Sequence, residues 1–184
     1  MTLTETFLEG CFVIEPQIFE DKRGGFFEAF NKKVFESKTG IATHFVQDNI
    51  SVSKKGVLRG LHFQKGDFAQ AKLVSVLKGK VLDVCVDIRK TSPTFGEHFS
   101  IILDEENRKQ VYIPKGFAHG FLALADNTIF SYKCDNYYNK GSESGILYND
   151  EALNIDWELP TSDLILSEKD QELKPFKIVT NNED

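Results

Sequence analysis

The chain has one tryptophan, one methionine and three cysteines in 184 residues. The cysteines, Cys11, Cys85 and Cys134, are odd in number and far apart, and no C-x-x-C pair occurs. That excludes a zinc knuckle and a dithiol redox motif. Such a set reads as reduced thiols, so the expected location is cytoplasmic. The start, Met1-Thr2-Leu3-Thr4-Glu5-Thr6, lacks the basic n-region of a secretory signal. No apolar run approaches the ~20 residues of a membrane helix. Basic residues are in deficit as well: 22 Lys+Arg against 28 Asp+Glu, a net charge of −6. That balance argues against broad, salt-driven binding to nucleic acid or anionic membrane. It leaves room for a small anionic ligand in a locally basic pocket. Internal repeats and low-complexity linkers are also missing. Only Asn181-Asn182-Glu183-Asp184 reads as a tail, so residues 1–184 are expected to form a single domain.

Phenylalanine is abundant, at 16 residues. Aromatic side chains suit pleated, half-buried surfaces, so a Phe-rich, Met-poor chain predicts sheets, with most Phe in the core. Turn residues cut the chain into short strands. Asp21-Lys22-Arg23-Gly24-Gly25 separates candidate strands Phe12–Phe19 and Phe26–Phe30. Val34–Thr39 predicts a short helix ended by Gly40. Further strands are expected at Leu73–Leu77, Val81–Ile88, Phe99–Leu103, Gln110–Ile113, Phe121–Leu124 and Thr128–Cys134. Along Val81–Ile88, Leu82, Val84, Val86 and Ile88 share one face, and Asp83, Cys85 and Asp87 the other. Two carboxylates on one face must meet water or cations. The fold class expected is all-β, a sandwich or barrel, with a C-terminal third of loops and short helices, for instance within Ser162–Ser167.

Four segments could carry chemistry. Arg59-Gly60-Leu61-His62-Phe63-Gln64 places a potential anion ligand three residues before a potential base. A lone His is more often structural than catalytic, and Arg59 shifts that balance. Pro114-Lys115-Gly116-Phe117-Ala118-His119-Gly120-Phe121 has the P-x-G-x-x-H spacing of the second half of a cupin jelly-roll signature. Metal-binding cupins carry H-x-H and a following Glu in the first half. Here the place reads His62-Phe63-Gln64, and residues 65–69 hold no Glu. His62 and His119 are a thin ligand set, so no metal is expected, although Asp67 could rescue one. Phe130-Ser131-Tyr132-Lys133-Cys134-Asp135, with Tyr137-Tyr138 beyond, is either ordinary strand aromatics or a phenolic proton donor with rings able to stack on a base. Leu166-Ser167-Glu168-Lys169-Asp170 reads locally as a solvated charge run or a helix cap.

In this order and spacing, these segments resemble the dTDP-4-dehydrorhamnose 3,5-epimerase family from Phe12 to Asp170. Asp21-Lys22-Arg23-Gly24 with Phe26 and Glu28, Gln47-Asp48-Asn49, Asp83 to Arg89 and Ser92-Pro93-Thr94-Phe95-Gly96 extend the match. The resemblance implies a cupin-type double-stranded β-helix, a homodimer, no metal or organic cofactor, and a dTDP-4-keto-6-deoxyglucose substrate. His62 would be the base, oriented by Asp170, and Tyr132 the acid on the opposite face. Lys72 would sit by the ketone oxygen. Arg23, Glu28, Gln47, Asn49, Arg59, His119, Glu143 and Lys169 would line the substrate site. Phe26 and Tyr138 would stack on thymine, and Arg23, Phe26 and Glu28 would reach in from the partner subunit.

These residue types suit the chemistry. Removing a proton beside a ketone requires the enolate oxygen to be stabilised as charge develops, and one preorganised donor is worth roughly 3–4 kcal/mol. Imidazole, with a pKa of about 6.5, suits a base at neutral pH. Inversion returns the proton to the other face, so a second group must stand across the sugar. Two departures from the family pattern stand out. Pro is expected near Asn139-Lys140, and Trp-Asn-Asp-Pro where Tyr148-Asn149-Asp150-Glu151 stands. Both are expected to be loops beside the nucleotide. The competing readings are a mono-epimerase on a related sugar nucleotide, a metal-dependent cupin and a non-catalytic cupin.

Overall fold

Glycine and proline punctuate a chain whose other residues favour strands, and the computed structural model, which describes residues 1–181, is accordingly built from short antiparallel strands. Thirteen are found among the described residues. They are β1 (Thr2–Glu5), β2 (Phe12–Glu15), β3 (Phe19–Asp21), β4 (Gly24–Phe26), β5 (Gln47–Ser53), β6 (Leu58–Gln64), β7 (Lys72–Lys78), β8 (Lys80–Asp87), β9 (His98–Asp104), β10 (Gln110–Ile113), β11 (Phe117–Ala123), β12 (Thr128–Cys134) and β13 (Glu143–Gly145). A six-stranded sheet runs β1-β2-β10-β7-β12-β5 and a five-stranded sheet β13-β6-β11-β8-β9, while β3 and β4 form a separate two-stranded ribbon. The fold is all-β, a cupin-like jelly roll. Among the described residues, no helix is long and apolar enough to cross a membrane. Of the polar tail, Asn182 to Asp184 lie outside the described residues.

Three apolar layers hold the sheets. Val74 and Val76 of β7 meet Val81 and Cys85 of β8, with Phe117, Phe121 and Phe130, in a cluster drawn from both sheets. Leu82, Val84 and Val86 of β8 pack with Tyr148, Trp157 and Phe176 of the C-terminal segment. Phe12, Leu73 and Tyr112 of the six-stranded sheet pack with Phe35 of helix α1 (Lys32–Thr39). Asn31 caps α1 by accepting from Val34 N, and Gly40 ends it at φ 71°, where a side chain would be strained.

Both faces of β8 are therefore buried. The Asp83 carboxylate meets the His119 ring and the Asp87 carboxylate the Arg89 guanidinium. Pro16 lies between β2 and β3 where Phe12–Phe19 was expected to be one strand, and only Phe26 of Phe26–Phe30 is in a strand. Within Ser162–Ser167 only a 3₁₀ turn forms, Thr161–Asp163; helices α2 (Glu168–Gln171) and α3 (Phe176–Asn181) follow it. The phenylalanines are less internal than expected. Phe12, Phe35, Phe63, Phe117, Phe121, Phe130 and Phe176 are buried, while Phe7, Phe19, Phe26, Phe68 and Phe95 are exposed. The Tyr148–Glu151 run is not beside the cavity described below. Tyr148 is in the layer behind the five-stranded sheet, its carbonyl accepting from the Trp157 indole at 2.8 Å, and Asp150 accepts from Phe176 N at 2.8 Å.

Candidate active site

Two glycines set the geometry. Gly60 on β6 and Gly120 on β11 face each other so closely that a Cβ on Gly60 would lie 2.5 Å from the Gly120 Cα. A side chain at either position would push the strands apart. Their contact puts His62 and His119 directly opposite in register. This explains why each histidine has a glycine close by in sequence.

Each ring is held by a carboxylate. His62 Nε2 lies 2.6 Å from Asp170 Oδ1, and Asp170 is buried. Burial pushes the Asp170 carboxyl up, but the hydrogen bonds from His62 and Ser167 and the Lys169 charge hold it below the ordinary carboxylate value. Ser167 caps the short helix α2 through Asp170 N, which fixes the backbone from which that carboxylate projects. The segment is thus both a helix cap and a site wall. His119 Nε2 lies 2.8 Å from Asp83 Oδ2, and both side chains are buried. Desolvation lowers the His119 pKa despite Asp83, so its ring is held neutral.

The rings open on a cavity with two adjoining lobes, each of about 260 Å³. His62, Lys72 and Tyr132 line both lobes. Together the lobes are within the size range of small-ligand sites. One lobe adds Arg59, His119, Lys169 and Asp170, floored by Phe121 and Phe130, whose rings stack at 4.1 Å. The other adds Gln47, Asn49, Phe63, Gln64, Gln70, Tyr138 and Glu143. Lys72 Nζ lies 5.9 Å from the centroid of the Tyr132 ring. Burial pushes the Tyr132 phenol up, keeping it protonated. Desolvation pushes Lys72 down, opposed by Cys134, Asp83 and Glu143. Glu143 takes two partners at the rim, Lys169 Nζ at 2.5 Å and the Tyr138 hydroxyl at 2.9 Å.

Eleven of the residues named from sequence thus meet at one cavity: His62, Lys72, Tyr132, Asp170, Gln47, Asn49, Arg59, His119, Tyr138, Glu143 and Lys169. Arg23, Phe26 and Glu28 do not join them within the chain. Arg23 and Phe26 line a separate cleft on the β3–β4 ribbon, where Arg23 pairs with Asp21 at 2.6 Å. Glu28 accepts from the Asn31 amide at 3.1 Å. Sequence reading passed over Asp83 as a site residue, together with Ser51, Phe121, Phe130 and Ser167 of the cavity wall. For Asp83 the available signal was its place among apolar neighbours on a strand buried on both faces. Gln64 stands where metal cupins carry a second His and instead accepts from Asn139 N at 2.9 Å. Among the described residues, no group of three or more His, Cys, Asp or Glu is placed to hold a metal ion.

The two-sheet fold recurs in known proteins. The chain is 51% identical over 173 residues to the dTDP-4-dehydrorhamnose 3,5-epimerase of Escherichia coli K12, covering 94% of this chain and 93% of that protein. The crystal structure of the enzyme of that name from Elizabethkingia anophelis superimposes with a TM-score of 0.94 at 55% identity, covering 100% of this chain and 99% of that one. A Legionella pneumophila epimerase solved with dTDP-4-keto-L-rhamnose gives 0.93 at 49% identity, covering 97% and 94%. The model of the dTDP-4-dehydrorhamnose 3,5-epimerase family matches residues 5–177. With sequence and fold in agreement, the chain belongs to the dTDP-4-dehydrorhamnose 3,5-epimerase family.

Proposed function

We infer that this protein converts dTDP-4-keto-6-deoxy-D-glucose to dTDP-4-keto-L-rhamnose, inverting carbons 3 and 5. One observation carries the mechanism. His62 stands on β6 of the five-stranded sheet and Tyr132 on β12 of the six-stranded sheet, so the two enter one cavity from opposite walls. A sugar held between them has a base on one side and an acid on the other. His62 takes the proton beside the ketone, and Asp170 fixes its tautomer and supports the imidazolium that forms. Lys72 stabilises the enolate oxygen. Tyr132, kept protonated by burial, returns a proton to the opposite face. The substrate's own ketone is the electron sink, so this chemistry calls for no cofactor. Arg59 and Lys169 supply positive charge for the diphosphate, with Gln47, Asn49, His119, Tyr138 and Glu143 completing the substrate contacts.

The protein acts as a homodimer on this reading, with Arg23, Phe26 and Glu28 of each ribbon completing the site of the other subunit. Phe19 and Phe26 leave more than half of their surface exposed on that ribbon, which favours a covering partner. Three buried free thiols suit a reducing compartment, which supports a cytoplasmic location.

The test is turnover of dTDP-4-keto-6-deoxyglucose in deuterated water. Deuterium is expected at both carbon 3 and carbon 5. Label at a single carbon would make the protein a mono-epimerase, and none would overturn the assignment. His62→Ala is expected to abolish exchange while dTDP still binds, and full exchange by that variant would remove His62 from the role.

A further inference from the structure

The loop from Asn136 to Asn139 carries two tyrosines that are 63% and 52% exposed, so side-chain burial does not anchor it. Carboxamides anchor its backbone instead. Gln70 Nε2 donates to Asn136 O at 2.8 Å, and the Asn136 amide donates to Asp67 O at 2.8 Å. Gln64 Nε2 donates to Tyr137 O at 3.5 Å, and Gln64 Oε1 accepts from Asn139 N at 2.9 Å. Gln47 Oε1 accepts from Tyr138 N at 3.0 Å. Asn139 then caps the next 3₁₀ turn by accepting from Gly141 N and Ser142 N. Every residue of the loop is therefore tied through its main chain to β5, β6 or the segment before β7. Asn139 also supplies order where a proline was expected.

We propose that Gln64 and Gln70 are positioning residues for nucleotide recognition, holding this backbone so that the Tyr138 ring stands ready to stack on the base. The proposal rests on the reading that the base of the sugar nucleotide lies against Tyr138. Ordering the loop before the ligand arrives removes an entropic cost from binding. Gln64 stands where metal-binding cupins carry a ligand and here holds backbone instead. The clamp acts on binding and leaves the proton transfers at His62 and Tyr132 untouched.

The test combines dTDP titration, steady-state kinetics and amide hydrogen exchange of the ligand-free protein. In Gln64→Ala, the dTDP Kd and the substrate KM are expected to rise roughly tenfold, about 1.4 kcal/mol, with kcat within about twofold of wild type. Exchange at the Tyr138 and Asn139 amides is expected to accelerate before any ligand is added. Gln64→Glu keeps the acceptor for Asn139 N but loses the donor to Tyr137 O and sets a buried carboxylate against that carbonyl, so it is expected to weaken dTDP binding as well. Gln70→Ala carries the same expectation through Asn136, and stands in if Gln64→Ala does not fold. Unchanged Kd or a loss confined to kcat would overturn the proposal. So would weaker binding with unchanged exchange, because Gln64 would then touch the ligand itself. A wild-type protein that binds no dTDP overturns the functional reading as well, whereas variants that match a binding wild type overturn only the clamp.

Discussion

Lys72 holds a charge where charge is expensive. Desolvation in the cavity wall favours its neutral form, and the carboxylates of Asp83 and Glu143 oppose that. The balance leaves its pKa below the ordinary lysine value. The sign follows directly. The ammonium needed to hold an enolate is present below this folded-state pKa and is lost as pH rises through it. Epimerisation is therefore expected to fall on an alkaline limb centred below about 10.4, the ordinary lysine pKa. Lys72→Met is expected to lower kcat roughly 10²–10³-fold at every pH, the usual effect of losing one preorganised donor. A pH–rate profile of both proteins checks this, and a variant that keeps the wild-type alkaline limb and rate would exclude Lys72 from enolate stabilisation. Lys72 itself was legible only through the family pattern, since a lysine opening a strand is unremarkable in isolation. Asp83 was not named as a site residue at all, because its importance depends on which strand lies beside β8. Register brings His119 opposite Cys85, next to Asp83, and register is a tertiary fact.

The end of strand β8 and the turn after it show how a segment can be conspicuous in sequence without touching the chemistry. The Asp87 carboxylate is fully buried and accepts from the Arg89 guanidinium at 2.7 and 2.9 Å, from Ser92 Oγ at 2.5 Å and from Thr94 Oγ1 at 2.8 Å. Arg89 also lies over the Phe117 ring at 4.7 Å and donates to Glu9 O. The Asp-Ile-Arg and Ser-Pro-Thr-Phe-Gly segments are thus one polar knot that fixes the end of β8. Burial raises the Asp87 pKa, but these partners overcome it and hold the carboxyl below its ordinary value. A depressed carboxyl contributes stability above its unfolded-state pKa, near 3.9, and loses it as pH falls through the folded value. Asp87→Asn is expected to cost about 3 kcal/mol, because it sets an amide in place of a buried carboxylate that accepts from Arg89, Ser92 and Thr94 and leaves the half-buried guanidinium without its counter-charge. That corresponds to a fall in Tm of roughly 8 °C for a domain of this size. A change under about 2 °C in thermal denaturation at pH 7 would show that the knot is not a stabilising unit. The alternation of Val81–Ile88 made the strand readable, as did the turn residues that bound Gln110–Ile113 and Thr128–Cys134, both recovered with their observed ends. The break at Pro16 was missed, although proline is itself the local signal, whereas the start of α2 at Glu168 agrees with the helix-cap reading of Leu166 to Asp170.

At the scale of the whole molecule, the net charge of −6 coexists with a cavity lined by Arg59, Lys72 and Lys169 beside two histidines. The composition excludes a polyanion binder and the fold gathers a minority of its cations around one small pocket. One of the expected cations, Arg23, stays outside, on a ribbon whose aromatic surface is bare. If the ribbon of each subunit completes its partner's site, two defective chains should repair each other. A His62→Ala chain lacks the base but offers a normal Arg23. An Arg23→Ala chain keeps its base and lacks only what its partner supplies. In the mixed dimer the second chain's site has His62 of its own and Arg23 from the first, so it works, while the other site lacks both. Random mixing in equal amounts makes half of the dimers mixed with one good site each, so activity is expected to recover to about a quarter of wild type. Each variant should be nearly inactive alone. The recovery should require subunit exchange, for instance denaturation and refolding together rather than simple mixing of stable dimers. Refolded mixtures no more active than the sum of the parent variants would place Arg23 in its own subunit's site or in none, and the proposal of a shared site would fail.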